Sequence, residues 1–125
     1  MTVVNQQLYK DISEAFVKGN IPFFIPYLSD EIKWHILGYK TIIGRENVLE
    51  LYTMSELESF PISTIKNMIA EAGYVVVEST GEARAKNGKV YNQKYCDIFR
   101  FKGEKLEEIT TYLDTALSKE AFNNS

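Results

Sequence analysis

Two side chains in this sequence have the chemistry of proton carriers in an apolar setting, His35 and Asp97. His35 is the sole histidine and adjoins the sole tryptophan, Trp34. An imidazole titrates near neutral pH, so inside a pocket it could act as a general base. Asp97 stands in a run whose alternate residues are Tyr95, Phe99 and Phe101. A carboxylate on such a face loses hydration, which raises its pKa and can keep it protonated. A carboxylate and an imidazole within about 3 Å of each other make a common acid–base pair. His35 and Asp97 are therefore the expected catalytic residues. The direction of His35 stays open: Ile32, Trp34 and Ile36 read as a core face, which turns His35 outward. Either residue also has a structural reading, the histidine bonded to a neighbour and the acid bonded to a tyrosine or the backbone.

Other chemistries lack their residues. Cys96 is the only cysteine, so no intramolecular disulfide and no thiolate cluster can form. By alternation it faces away from Asp97 and reads as an inert apolar residue. No Asp/Glu cluster has metal-ligand spacing, and no Gly-rich phosphate loop or Gly-x-Ser-x-Gly elbow is present. Neither a metal nor a cofactor is expected. With a formal net charge of −3 and scattered Lys and Arg, the chain lacks the clustered cations that nucleic acid or an anionic membrane requires. No apolar run reaches the ~18 residues of a membrane span, and no signal peptide opens the sequence. A soluble, cytoplasmic protein is the expectation. The 125 residues fit one domain, 1–125, with no linker or repeat.

The elements that must position these residues follow from periodicity. Leu8, Ile12, Ala15 and Phe16 predict an amphipathic helix over about 4–18, stopped by Gly19-Asn20. Pro22 and Pro26 restrict the next apolar segment to a short helix or turn. A strand is expected from Ile32 to Leu37, then a helix from about Arg45 to Phe60. From there the period changes to two. Strands are expected over about 62–70, 74–85, 90–102 and 105–114, with a hairpin at Asn87-Gly88. Helices ahead of a meander give an α+β fold, with a curved antiparallel sheet around the N-terminal helices. Long strands curling around helices leave an apolar pocket at the open end. Aromatic residues make up 13% of the chain, which suits such a cavity.

Several of these pieces carry a family resemblance: Trp34-His35, Gly44 before the helix, and the hairpin 87–92 leading into Tyr95-Cys96-Asp97-Ile98-Phe99-Arg100-Phe101. The closing segment Lys105-Leu106-Glu107-Glu108-Ile109-Thr110-Thr111-Tyr112-Leu113-Asp114 adds to them. The chain resembles the SnoaL-like proteins of the nuclear transport factor 2-like superfamily, which includes ketosteroid isomerases, limonene epoxide hydrolases and polyketide cyclases. The resemblance spans roughly Leu8 to Leu117 and implies a cone-shaped, cystatin-like fold with an internal pocket. In ketosteroid isomerases a general-base aspartate sits where this chain has His35, which the resemblance thereby turns inward. A second acid, held neutral to donate a hydrogen bond, falls on Asp97. Their oxyanion-hole tyrosine falls near Ile12, which cannot donate. The Asp-Arg-Asp set of the epoxide hydrolases falls on Ser79, Gly81 and Thr111, none of which matches. Tyr112 and Asp114 of the closing motif read as outer-face residues.

The expected pocket walls are Ile12, Phe24, Tyr27, Trp34, Tyr52, Tyr95, Phe99 and Thr111. The expected function is a small-molecule pocket with acid–base chemistry of the isomerase, cyclase or dehydratase type on an apolar or cyclic substrate. The alternatives are a non-catalytic binder and an interaction module. The resemblance implies a homodimer paired through the outer sheet face.

Overall fold

In a computed structural model of the chain, residues 6–38, 40–53, 62–84, 88 and 90–113 are described. The first helix, α1, spans Gln6–Lys18. It buries Tyr9, Ile12, Ser13, Ala15 and Phe16, a single stripe at helical spacing. Ser13 sits on that stripe at no cost in lost bonding. Its hydroxyl donates to the Tyr9 carbonyl at 2.8 Å, the i−4 acceptor that a helix offers a serine. Gly19 follows at φ +81°, an angle without steric penalty for a residue lacking Cβ. The prolines then confine the chain to a short helix, α2 (Ile21–Phe24), and a 3₁₀ turn (Ile25–Tyr27).

Strand β1 runs Leu28–Ile36, starting earlier than its alternation indicates. Strand β2, Lys40–Ile43, is new relative to the sequence reading and pairs antiparallel with β1. Helix α3 occupies Arg45–Thr53. Its expected extension to Phe60 lies outside the described residues. The meander follows as β3 (Ile62–Glu71), β4 (Tyr74–Arg84), β5 (Val90–Lys102) and β6 (Lys105–Leu113). Gly88 has φ +88°, as the expected hairpin requires, while Asn87 lies outside the described residues.

The six strands form one open sheet in the order β2-β1-β6-β5-β4-β3. The meander pairs are antiparallel, as expected. The closing strand β6 instead lies parallel to β1, with Trp34 opposite Ile109 and Ile36 opposite Thr111. The seam between the chain's two halves is therefore the one parallel pairing among the described strands. One sheet face is covered by the helices and carries Val75, Val77, Phe99, Phe101, Leu106 and Ile109, all buried. Phe16 anchors that layer, with its ring 5.2 Å from Phe24, 5.1 Å from Trp34 and 5.6 Å from Phe99. Tyr9 stacks on Phe101 at 4.2 Å and donates its hydroxyl to the Gly103 carbonyl. No described helix is long and apolar enough to cross a membrane.

Candidate functional site

Along β4 the inner positions are Val75, Val77, Ser79 and Gly81; along β5 they are Tyr95, Asp97, Phe99 and Phe101. Both strands therefore change from apolar to polar toward the same end of the sheet. The strand register completes the patch by setting Thr111 opposite Asp97 and Ile36 opposite Thr111. Trp34, two residues before Ile36, faces the same side and is held edge-on by Phe16.

These groups form a directed relay. The Trp34 Nε1–H donates to Thr111 Oγ1 at 2.8 Å, and the Thr111 hydroxyl donates to Asp97 Oδ1 at 2.6 Å. An indole nitrogen can only donate, so the threonine oxygen must accept from it. While Asp97 is ionised its Oδ1 can only accept, so the hydroxyl hydrogen of Thr111 is directed to it. Burial pushes the Asp97 carboxyl up from 3.8 to about 6, opposed by the Thr111 hydrogen bond. The group thus changes charge close to neutral pH. Tyr95 is pushed up to about 12, first by burial and then by the charge of Asp97 beside it, so its phenol stays a neutral donor. Gly81 makes room for this ring: a Cβ there would lie 2.7 Å from Tyr95 Cε2.

The family model for the SnoaL-like domain matches residues 9–109, a span that includes most of α1, Trp34 and Asp97 and ends just before Thr111. The chain belongs to the SnoaL-like domain family. No curated protein matches the sequence. Among solved structures, this SnoaL-like chain is similar to a putative SnoaL-like polyketide cyclase from Jannaschia sp. CCS1. The TM-score is 0.83 at 9% identity, covering 100% of this chain and 99% of that one. A nuclear transport factor 2-like protein of unknown function from Cytophaga hutchinsonii gives TM-score 0.76 at 24% identity, covering 87% and 98%. TerC, co-crystallised with polyporic acid, gives TM-score 0.75 at 15% identity, covering 95% and 97%. At these identities the likeness establishes the fold.

His35 does not join Asp97. It lies on the outer sheet face, as strand alternation indicates and against the inward position that the family resemblance implies. There Nδ1 meets Thr41 Oγ1 at 3.0 Å and Nε2 meets Glu108 Oε2 at 2.7 Å. Arg100 Nε donates to the other Glu108 oxygen at 3.2 Å. A carboxylate only accepts, so Nε2 carries a hydrogen. The His35 bond, with smaller help from Arg100, draws the Glu108 carboxyl below its usual range. The physical reason for the separation is the period of two: Trp34 must face Phe16, and its neighbour then faces out.

The other expected residues divide. Trp34, Tyr95 and Thr111 surround Asp97. Ile12, Phe24 and Phe99 are fully buried in the aromatic layer beneath it. Tyr27 is half-buried, its ring 6.2 Å from Phe23. The side chain of Tyr52 lies outside the described residues, as does Asp114. Tyr112 is exposed on the outer face, where it was expected. Cys96 shares that face; burial, then Asp97 and Glu78, push its thiol up, which keeps it protonated. Ser79 is absent from the sequence-derived set, although a serine at an inner position two residues after Val77 was a readable signal. Glu108 and Arg100 carried no such signal, because only the sheet register brings them to His35. Among the described residues no group of three or more His, Cys, Asp or Glu is placed to hold a metal.

Proposed function

We propose that this SnoaL-like domain binds a flat or cyclic oxygenated molecule against its inner sheet face, with Asp97 as the acid–base group. The observation that carries this reading is the relay that holds a buried carboxyl, poised near pH 6, with one oxygen engaged by Thr111. Such a group can take a proton from carbon next to a carbonyl and return it elsewhere, which is the elementary step of cofactor-independent isomerisation and cyclisation. Tyr95 supplies a neutral donor on the same face. Likeness to a putative polyketide cyclase and to a protein co-crystallised with polyporic acid is consistent with this class of ligand.

Trp34 is the sole tryptophan and part of the relay, so its fluorescence reports on the site directly. Titration with 1-tetralone is expected to quench it. Wild-type protein is expected to speed exchange of the ketone's C2 hydrogens for solvent deuterium, with a rate that rises through pH 6 as the carboxylate form appears. Asp97→Asn should lower that rate by about 10²-fold or more, while His35→Gln, on the other face, leaves it unchanged. Quenching without exchange would leave a binder; neither signal would end the pocket reading.

A second reading rests on the outer face. Ile43, Ile69, Tyr74 and Tyr112 project from it and are 44–64% exposed. Exposed apolar residues spread across that face are positions a second copy of the chain would cover. Sedimentation velocity is expected to give a dimer that Ile69→Glu weakens; a monomer at high concentration would refute the assembly.

A further inference from the structure

Among the described residues, four buried side chains are polar: Ser13, Ser79, Asp97 and Thr111. Ser13 bonds to its own helix, and Asp97 and Thr111 bond to each other. Ser79 is 2% exposed, and its Oγ has no hydrogen-bond partner in the protein. The helix and the strand explain the contrast between the two serines. A helical serine reaches the i−4 carbonyl, whereas a strand directs its carbonyls sideways into the ladder and its side chains out of the pleat. An unsatisfied hydroxyl in an interior is rare and unfavourable, since water has been given up with nothing in return.

Its surroundings point to a ligand. Ser79 stands opposite Tyr95, and Asp97 is the next inner residue along β5. Diagonal neighbours of this kind lie roughly 7–8 Å apart on one face of a sheet. The Tyr95 ring is laid over Gly81, the next inner position of β4. Ser79 thus belongs to the same polar patch as Asp97, one diagonal step from it across the β4–β5 pair.

We infer that Ser79 is a specificity residue, whose hydroxyl donates to a second oxygen of the ligand while Asp97 engages the first. This rests on the reading of the inner face as a small-molecule pocket and narrows it. The favoured class is a ring carrying oxygens at opposite corners, a 1,4-hydroxyketone or related dioxygenated ring. A molecule with one oxygen gains nothing from Ser79.

The test compares 1-tetralone with 4-hydroxy-1-tetralone, which differ by that second oxygen, using quenching of Trp34. Wild-type protein should bind the hydroxyketone more tightly. Ser79→Ala should weaken the hydroxyketone about five- to tenfold, the value of one hydrogen bond, and leave 1-tetralone unchanged. The same substitution removes an unsatisfied group, so the Tm of the free protein should rise by a few degrees. Ser79→Cys, close in size but a weak donor, should lose the same discrimination and serves if the alanine variant folds poorly. Equal effects on the two ketones, no effect on either, or a lower Tm with binding intact would overturn the role of Ser79 alone. Failure of both ketones to quench wild-type protein would instead remove the pocket reading, and the Ser79 role with it.

Discussion

Asp97→Asn is expected to make the protein more stable above pH 7, by up to about 3 kcal/mol, or a Tm higher by on the order of 10 °C. The sign follows from proton linkage. The folded carboxyl holds its proton up to about pH 6, whereas the unfolded one releases it near 3.8. Between those values the folded state binds more protons, so stability falls as pH rises from about 4 through 6 and is then level. Asparagine stays neutral throughout, and its carbonyl can still accept from Thr111. The gain should therefore be close to zero at pH 4 and complete by pH 7. Glu108 works in the opposite direction, with stability that is lost as pH falls, so the informative quantity is wild type minus variant at each pH. Urea denaturation from pH 4 to 8 measures it. A difference that does not change with pH would mean that Asp97 titrates normally. A more stable variant that has lost the proton-exchange activity would be the usual signature of a group kept for function at the expense of stability.

Thr111→Val is expected to destabilise the protein by about 2–4 kcal/mol at pH 8, although the two side chains have nearly the same shape. The substitution removes both bonds of the relay at once. Trp34 Nε1 loses its acceptor and Asp97 Oδ1 loses its donor, each in a buried or partly buried place. Because the Thr111 bond is what draws the Asp97 carboxyl down, its loss moves that carboxyl further up. The stability change with pH should then extend above pH 6, and the variant should suffer less at pH 4, where Asp97 is neutral in both proteins. Thr111→Val should cost less at pH 8 in the Asp97→Asn background than in wild type, because the charged acceptor it served is gone and the two effects are not additive. A neutral Thr111→Val, or an unmoved midpoint in pH, would show that the relay does not control Asp97.

Much of this arrangement was legible because strand alternation is a local property. Ile32, Trp34 and Ile36 share a face by spacing alone, and so do Tyr95, Asp97, Phe99 and Phe101. That was enough to place Asp97 among aromatic side chains and Thr111 opposite to Tyr112. Strand β2 was not legible, since the four residues Lys40–Ile43 are too few to display a period. The direction of His35 was legible from its own strand; the family resemblance pointed the other way.

What the sequence by itself determined is the set of elements and the inner or outer side of each strand residue, because both depend on side chains a few positions apart. Only the tertiary structure decided which residues meet. Trp34 and Asp97 reach the same threonine through the parallel seam of β1 with β6 and the antiparallel register of β6 with β5. His35 reaches Glu108 across that same seam. Ser79 keeps an unsatisfied hydroxyl because no protein group arrives beside it. A one-residue slip in any of these pairings would turn the partner to the other face. The antiparallel registers follow the hairpin turns and the shift between Arg100 and Phe101, whereas the parallel register of β1 with β6 joins segments some seventy residues apart and has no local turn to set it.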